Sequence, residues 1–371
     1  MYIFAVIFLS FFAFLEVFNR ETVEKYRTVF VSLCFFFLVF HDGFRWETGC
    51  DWGPYSRYFE NLFNYSIDRP GFELGYYFFM LPIRSITDNF SVYLVLHALL
   101  FYSCLFYAIL KLSTHPFVSI LLLYMVTVPI MGTNRQFLAL AFYATGLVFL
   151  KDRRIFLYIL TVILAFFFHR SAIVCLLIPL LYKKIKTVYL LAFLLIALII
   201  SFSGIINTLS PFLALLIADD ETLRKFEVYT TLEYTNITFI STFISLARKL
   251  LWIFLLLFFE NKIENKNQTY YTIFNIYFVA SIFYIIFNDT MLQVFVSRGL
   301  MYYNIMEIFI MPYVLILFKD NYGKLLIMFI LVGYVLISIK KGFSNYGENN
   351  DYFEPYKGLF INTDYERIDK D

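Results

Sequence analysis

Six side chains in this chain could do chemistry together: Arg45, Asp51, Arg135, His169, Arg170 and Arg298. Four are arginines. A guanidinium fork grips phosphate or carboxylate through paired N–H donors and stays charged when partly desolvated. His169 has an ordinary pKa that lets it move a proton near neutral pH. Asp51 is a competing base, or a partner that orients Arg45. Together they suit one anionic substrate and one proton transfer. The stretch HDGFRWETGCDWGPY, 41–55, concentrates the pattern, with Arg45, Glu47 and Asp51 among Trp46 and Trp52.

The elements that must position these groups are membrane helices. The 371 residues are 61% hydrophobic, 22% aromatic and only 16% charged, too apolar for a soluble domain of this length. A span needs about 20 apolar residues. Apolar runs fall near 2–18, 28–43, 90–110, 117–132, 136–150, 155–168, 171–182, 187–206, 241–259, 271–288, 299–318 and 324–339. They predict an all-α integral membrane protein of roughly twelve transmembrane helices, a single polytopic domain over 1–371. The first run has no basic n-region or cleavage site and reads as a retained helix. Segment 72–88 is short and interrupted by Pro82, which predicts an interfacial or re-entrant helix, with a full span as the alternative. Cys34, Cys50, Cys104 and Cys175 show no CxxC spacing. Neither a metal site, a disulfide framework nor a cofactor is expected. There is no internal repeat, P-loop, GxGxxG or GxSxG, and no nucleic-acid partner is expected.

Lysines set the orientation. Lys25, Lys111, Lys151, Lys183, Lys184, Lys186, Lys262, Lys266, Lys319 and Lys324 lie in short loops, which the positive-inside rule makes cytoplasmic. Loops 44–89 and 207–240 and the tail 340–371 then face outward. Before the tail, the outward basic residues are Arg45, Arg57, Arg69, Arg84, Arg135, Arg170, Arg224 and Arg298, with the single Lys225. Arginine against the topological bias points to anion binding. The competing account pairs these arginines with Glu47, Asp51, Glu60, Asp68 and Glu73. It fits Arg135, Arg170 and Arg298 poorly, because their own short loops offer at most Asp289.

Two turns should be recessed. Run 155–168 makes roughly 21 Å of helix against a bilayer core of about 30 Å. His169 and Arg170 should therefore lie at or below the headgroups, as should Thr133–Gln136, where ionisable groups usually line a wet cavity. A capping or interfacial role is the alternative for His169. Asp219, Asp220, Glu221, Tyr229, Glu233 and Tyr234 in loop 207–240 offer carboxylates and rings for a sugar, or an ordinary interface belt. Arg248 and Lys249, inside run 241–259, either snorkel or mark a cavity-facing stripe.

RWETGCD at 45–51, NRQFLALAF opening a helix at 134, and FFFHRSAIVCLLIPL around 169 occur in that order. With Arg298-Gly299 and Glu354-Pro355-Tyr356, they resemble the EpsG/Wzy group of bacterial polysaccharide polymerases. Cys50 and Trp52 around Asp51 depart from the pattern. The resemblance implies a GT-C-like helical bundle with extracytoplasmic loops, in the bacterial inner membrane. It also implies transfer of a growing glycan from undecaprenyl diphosphate to the next lipid-linked repeat unit at the outer face. The implied partners are the undecaprenyl-diphosphate-linked oligosaccharide, the lipid bilayer and a chain-length regulator.

For that reaction Arg135 and Arg298, with Arg45 or Arg170, would bind the diphosphate. His169 would be the base, with Asp51 the competitor, and the transfer would be inverting and metal-independent. Phe-rich runs 35–37, 166–168 and 254–259 would line a groove for the polyprenyl tail, or simply face lipid. Rival readings are a lipid-linked oligosaccharide flippase, a glycan acyltransferase and an O-antigen ligase. The single-face polar cluster and the lack of repeats disfavour a transporter.

Overall fold

A computed structural model describes residues 1–209, 239–258, 268–287, 290, 292, 299–344 and 352–366. Arg298, the cluster at 219–234 and the side chain of Arg248 lie outside them.

Regular structure among the described residues is helical, with only isolated bridges such as Arg45 with Gly358. The first helices are α1 (Tyr2–Phe18), α2 (Arg20–Lys25), α3 (Arg27–Gly43), α4 (Trp52–Glu60) and α5 (Leu74–Ile86). Then come α6 (Phe90–Leu112), α7 (Pro116–Thr127), α8 (Asn134–Lys151), α9 (Ile155–Phe168) and α10 (Thr187–Ser203). Later helices are Phe239–Phe258, Gln268–Phe287 and Asn321–Ser344.

Phe90–Leu112, Gln268–Phe287 and Asn321–Ser344 are long and apolar enough to cross a membrane. The chain is a multi-pass membrane protein. Most other apolar helices, such as Tyr2–Phe18, are shorter, while Phe239–Phe258 has 20 residues; among the described residues three of the expected twelve spans meet both length and hydropathy. With 13 residues, α5 makes about 20 Å of helix, less than the bilayer core. The expected helix at 171–182 is instead a 3-10 helix over Arg170–Leu181, with Pro179 inside it. The run at 299–318 is broken into Met301–Asn304, Glu307–Ile310 and a 3-10 helix, Met311–Leu317, with Pro312 in its first turn.

The chain divides into two compact units, Met1–Leu176 with Asp320–Asp371, and Leu177–Lys319. In the first, α8 packs between α6 and α9, while α1 packs on α7 and on Asn321–Ser344. Phe101 of α6 stacks on Phe137 of α8 at 4.6 Å.

Glu16 of α1 caps α7. Its Oε2 accepts from the backbone N–H of Phe117 at 2.9 Å and of Val118 at 3.2 Å. These are two of the donors that a helix start leaves unpaired. At the same end, Lys151 Nζ donates to the Lys111 carbonyl at 2.7 Å. Burial, then the charges of Arg20 and Lys324, pull His115 in the α6–α7 turn down to about 4. The lysine-bearing turns of this unit thus gather at one end, and the turns carrying Arg45, Arg135 and Arg170 occupy the other.

In the second unit Lys249, 4% exposed, pairs with Glu307 at 2.5 Å. Lys249 therefore neither snorkels nor faces an open cavity. Asn275 Nδ2 ties down the end of the 3-10 helix by donating to the carbonyls of Leu181 at 2.9 Å and Lys183 at 2.8 Å.

Candidate active site

The site begins with two loops interlocked through backbone. Gly49 has φ +101 and Gly132 has φ +108. A Cβ on Gly49 would lie 2.4 Å from the Met131 carbonyl oxygen, and one on Gly132 would lie 1.7 Å from that of Cys50. Only glycine supplies both the positive φ and the close approach. The Cys50 thiol donates to the Met131 carbonyl at 3.2 Å. The RWETGCD segment is thus seated against the turn that launches α8.

A buried network continues the seam. Arg45, 1% exposed, pairs with the Asp42 carboxylate, donates to the Asp42 carbonyl at 3.1 Å, and donates from Nη2 to Asn134 Oδ1 at 2.8 Å. His97 Nε2 lies 2.9 Å from the Asn134 carbonyl. Arg45 is therefore an internal tie on the first residue of α8, enclosed by protein and held away from any surface ligand.

The C-terminal segment straps this loop. Trp46 N–H donates to the Lys357 carbonyl at 3.0 Å, Gly49 N–H to Tyr352 at 2.6 Å, and Leu359 N–H to Phe44 at 2.9 Å. Lys357 Nζ pairs with Glu47 at 2.6 Å. The tail thus packs on the loop that carries Trp46 and Gly49.

Arg135, one residue into α8, emerges from the seam with its side chain 26% exposed. Its Nε donates to Tyr55 Oη at 3.1 Å and its Nη1 to Glu73 Oε2 at 2.6 Å. Its guanidinium lies 4.1 Å from the ring centroid of Phe72. Nη2 carries no hydrogen bond among the described residues, so the fork keeps donors for a ligand. Burial pushes the Tyr55 hydroxyl up to about 12, with Arg135 opposing. It stays protonated at neutral pH and has its own proton to donate.

Glu73 links two motifs. Its second oxygen, Oε1, accepts a long hydrogen bond of 3.5 Å from the Arg170 backbone N–H. The start of α5 lies close against the end of α9, where a Cβ on Gly75 would be 2.7 Å from the Phe167 carbonyl oxygen. The sequence expectation that Arg135 lacks a nearby carboxylate is corrected here. Glu73 comes from a segment 62 residues away, which inspection of its own turn could not reveal.

His169 ends α9 in extended conformation and is half-buried; Arg170 is exposed. His169 Nδ1 accepts from the Ser171 backbone N–H at 3.3 Å and lies 2.7 Å from Ser171 Oγ. An Nδ1 that accepts from an amide places the neutral ring's proton on Nε2. Asp51 is exposed, with φ 60, at the start of α4. The structure thus gathers Arg135, Glu73, Tyr55 and the His169-Arg170 turn. It puts Arg45 beneath them.

Tyr55, Phe72, Glu73 and Asn134 were not singled out as site residues. The available signal was NRQ at a helix start and a lone carboxylate opening α5.

A model of the EpsG family matches residues 28–357. The chain belongs to the EpsG family. That family is a Wzy-like polymerase family, and the match spans RWETGCD, NRQ, FHRSA and the tail as far as Lys357. No curated protein and no solved structure matches the chain. In this EpsG-family protein the matched motifs are the segments that build the Arg45–Asn134 seam and the Arg135 cluster.

Proposed function

We propose that this EpsG-family protein polymerises lipid-linked oligosaccharide repeat units at the outer face of the cytoplasmic membrane, within a GT-C-like bundle. The observation that carries this reading is Arg135. It is anchored by Tyr55, Glu73 and Phe72 and keeps free donors at one end of the first unit. Such a group neutralises charge that develops on a departing diphosphate, as a preorganised donor should.

The donor sugar's C1–O bond to the undecaprenyl diphosphate breaks as an acceptor hydroxyl attacks C1 from the opposite face, inverting the centre. The electron pair of the broken bond stays on the diphosphate, facing Arg135 and Arg170. His169 was the expected base, with Asp51 competing. Because Ser171 occupies its Nδ1, we assign His169 a donor role, through Nε2–H, toward a diphosphate oxygen. The acceptor's proton passes to Glu73, the carboxylate that anion binding at Arg135 would release from its ion pair. Asp51, beyond Tyr55, remains the alternative base. Arg45 serves as a positioning residue. Arg298, the other diphosphate contact expected from the sequence, lies outside the described residues. The arginines and imidazole supply the charge compensation that a metal would otherwise provide.

Deletion of the gene, with surface-glycan lengths read on a gel, tests the reading. Loss of long chains with single repeat units retained supports a polymerase. Loss of all surface glycan supports a flippase or ligase instead.

A further inference from the structure

An open groove of about 530 Å³ lies on the outer loop, lined by Pro54, Arg57, Tyr58, Asn61, Tyr65 and Phe72 among others. Its volume falls in the range of small-ligand sites, about 300–1,000 Å³. Its walls mix ring faces with polar tips. Tyr58 packs 4.3 Å from Phe72 and 4.8 Å from Tyr65, centroid to centroid. Arg57, Asn61 and Asn64 are exposed along it.

The groove is held in shape by its own contacts. Tyr58 Oη donates to the Pro70 carbonyl. Ser66 and Arg69 exchange backbone hydrogen bonds of 3.3 and 3.1 Å, and Asn61 Nδ2 donates to the Arg57 carbonyl at 2.9 Å. Aromatic faces accept the apolar C–H patches of a pyranose, while amides and a guanidinium bind its hydroxyls. A long apolar tail would find too many polar tips here, and an isolated anion too much ring surface.

Phe72 makes the location informative. It lines the groove and also carries the Arg135 guanidinium against its ring. A saccharide linked to a phosphate at Arg135 would therefore run directly onto the groove.

We propose that this groove is a saccharide subsite holding sugar residues of the lipid-linked substrate beside Arg135. The inference rests on the polymerase reading. It adds which surface takes the glycan, and that recognition is by ring stacking with Arg57, Asn61 and Asn64 as hydroxyl partners.

The test uses full-length protein in nanodiscs. The probe is repeat-unit oligosaccharide released by mild hydrolysis from the producing cell's own surface polysaccharide. Binding is followed by saturation-transfer NMR and titration. Tyr65→Ala and the double variant Arg57→Ala/Asn64→Ala should each weaken binding about tenfold or more. Tyr65→Phe, which keeps the ring, should bind like wild type and shows that the loop still folds. Arg135→Ala should weaken binding of inorganic pyrophosphate.

Wild-type binding by Tyr65→Ala and by the double variant, or no binding by the wild type itself, overturns the subsite. Competition by the oligosaccharide against the lipid-linked acceptor identifies an acceptor subsite. Competition against the donor alone identifies a donor subsite. If a deletion strain still makes full-length polymer while the groove binds sugar as described, the polymerase reading fails and the subsite stands.

Discussion

Arg135 and Arg45 are the same residue type at the same end of the first unit, with opposite roles. Arg45 is enclosed with Asp42 and Asn134, whereas Arg135 keeps a quarter of its side chain open and donors to spare. Arg135→Ala should lower polymer formation about 10²–10³-fold, the cost of one donor aimed at developing charge. Arg135→Lys should also fail, because a single ammonium lacks the fork that holds Tyr55 while gripping a diphosphate. A chain-length ladder, read beside protein level, checks both. Glu73→Gln keeps a partner for Arg135 but cannot take a proton. It should cost at least about 10²-fold in turnover at unchanged protein level; near-normal turnover would return the base to Asp51. Arg45 illustrates what the sequence contained and what it hid. Asp42 stands three residues earlier, in the last turn of α3, within easy reach in sequence, although Asp51 was the partner expected for Arg45. The contact of Arg45 with Asn134 spans 89 residues and was not legible.

At the scale of elements, the motifs act as seams between helices. Gly132→Ala would place a methyl 1.7 Å from the Cys50 carbonyl oxygen at a backbone angle that alanine resists. Loss of folded protein is expected, seen as collapse of the monodisperse chromatographic peak. Gly49→Ala should do the same, and a normal peak from either would deny that the seam is backbone-tight. In the second unit, Lys249→Met strands the buried Glu307 carboxylate and should destabilise by about 3–5 kcal/mol. Lys249→Met/Glu307→Met should recover most of that in a thermal-shift measurement. Helix positions such as Ile155–Phe168 were readable because apolar runs mark them directly. The 3-10 form of Arg170–Leu181 and the broken Met301–Leu317 stretch were not, since an apolar run looks alike in either form. Their prolines, Pro179 and Pro312, were the available warning.

At the scale of the whole molecule, sequence reading divided the loop charges into two classes. It separated lysine-bearing turns from the turns carrying Arg45, Arg135 and Arg170, and the first unit places those groups at opposite ends. Arginine alone did not mark the Arg135 end, because Arg20, Arg27, Arg153 and Arg154 stand with the lysines. The scarcity of lysine marks it better. A lipid diphosphate can meet Arg135 on the outer face only if that end faces outward. Phe63, exposed on the loop near the groove, and Asp152, exposed in the turn after α8, report the two ends without touching the proposed machinery. Phe63→Cys should react with a membrane-impermeant maleimide in intact spheroplasts, and Asp152→Cys only after permeabilisation. The reverse pattern would put Arg135 on the cytoplasmic side and remove the outer-face reaction with it.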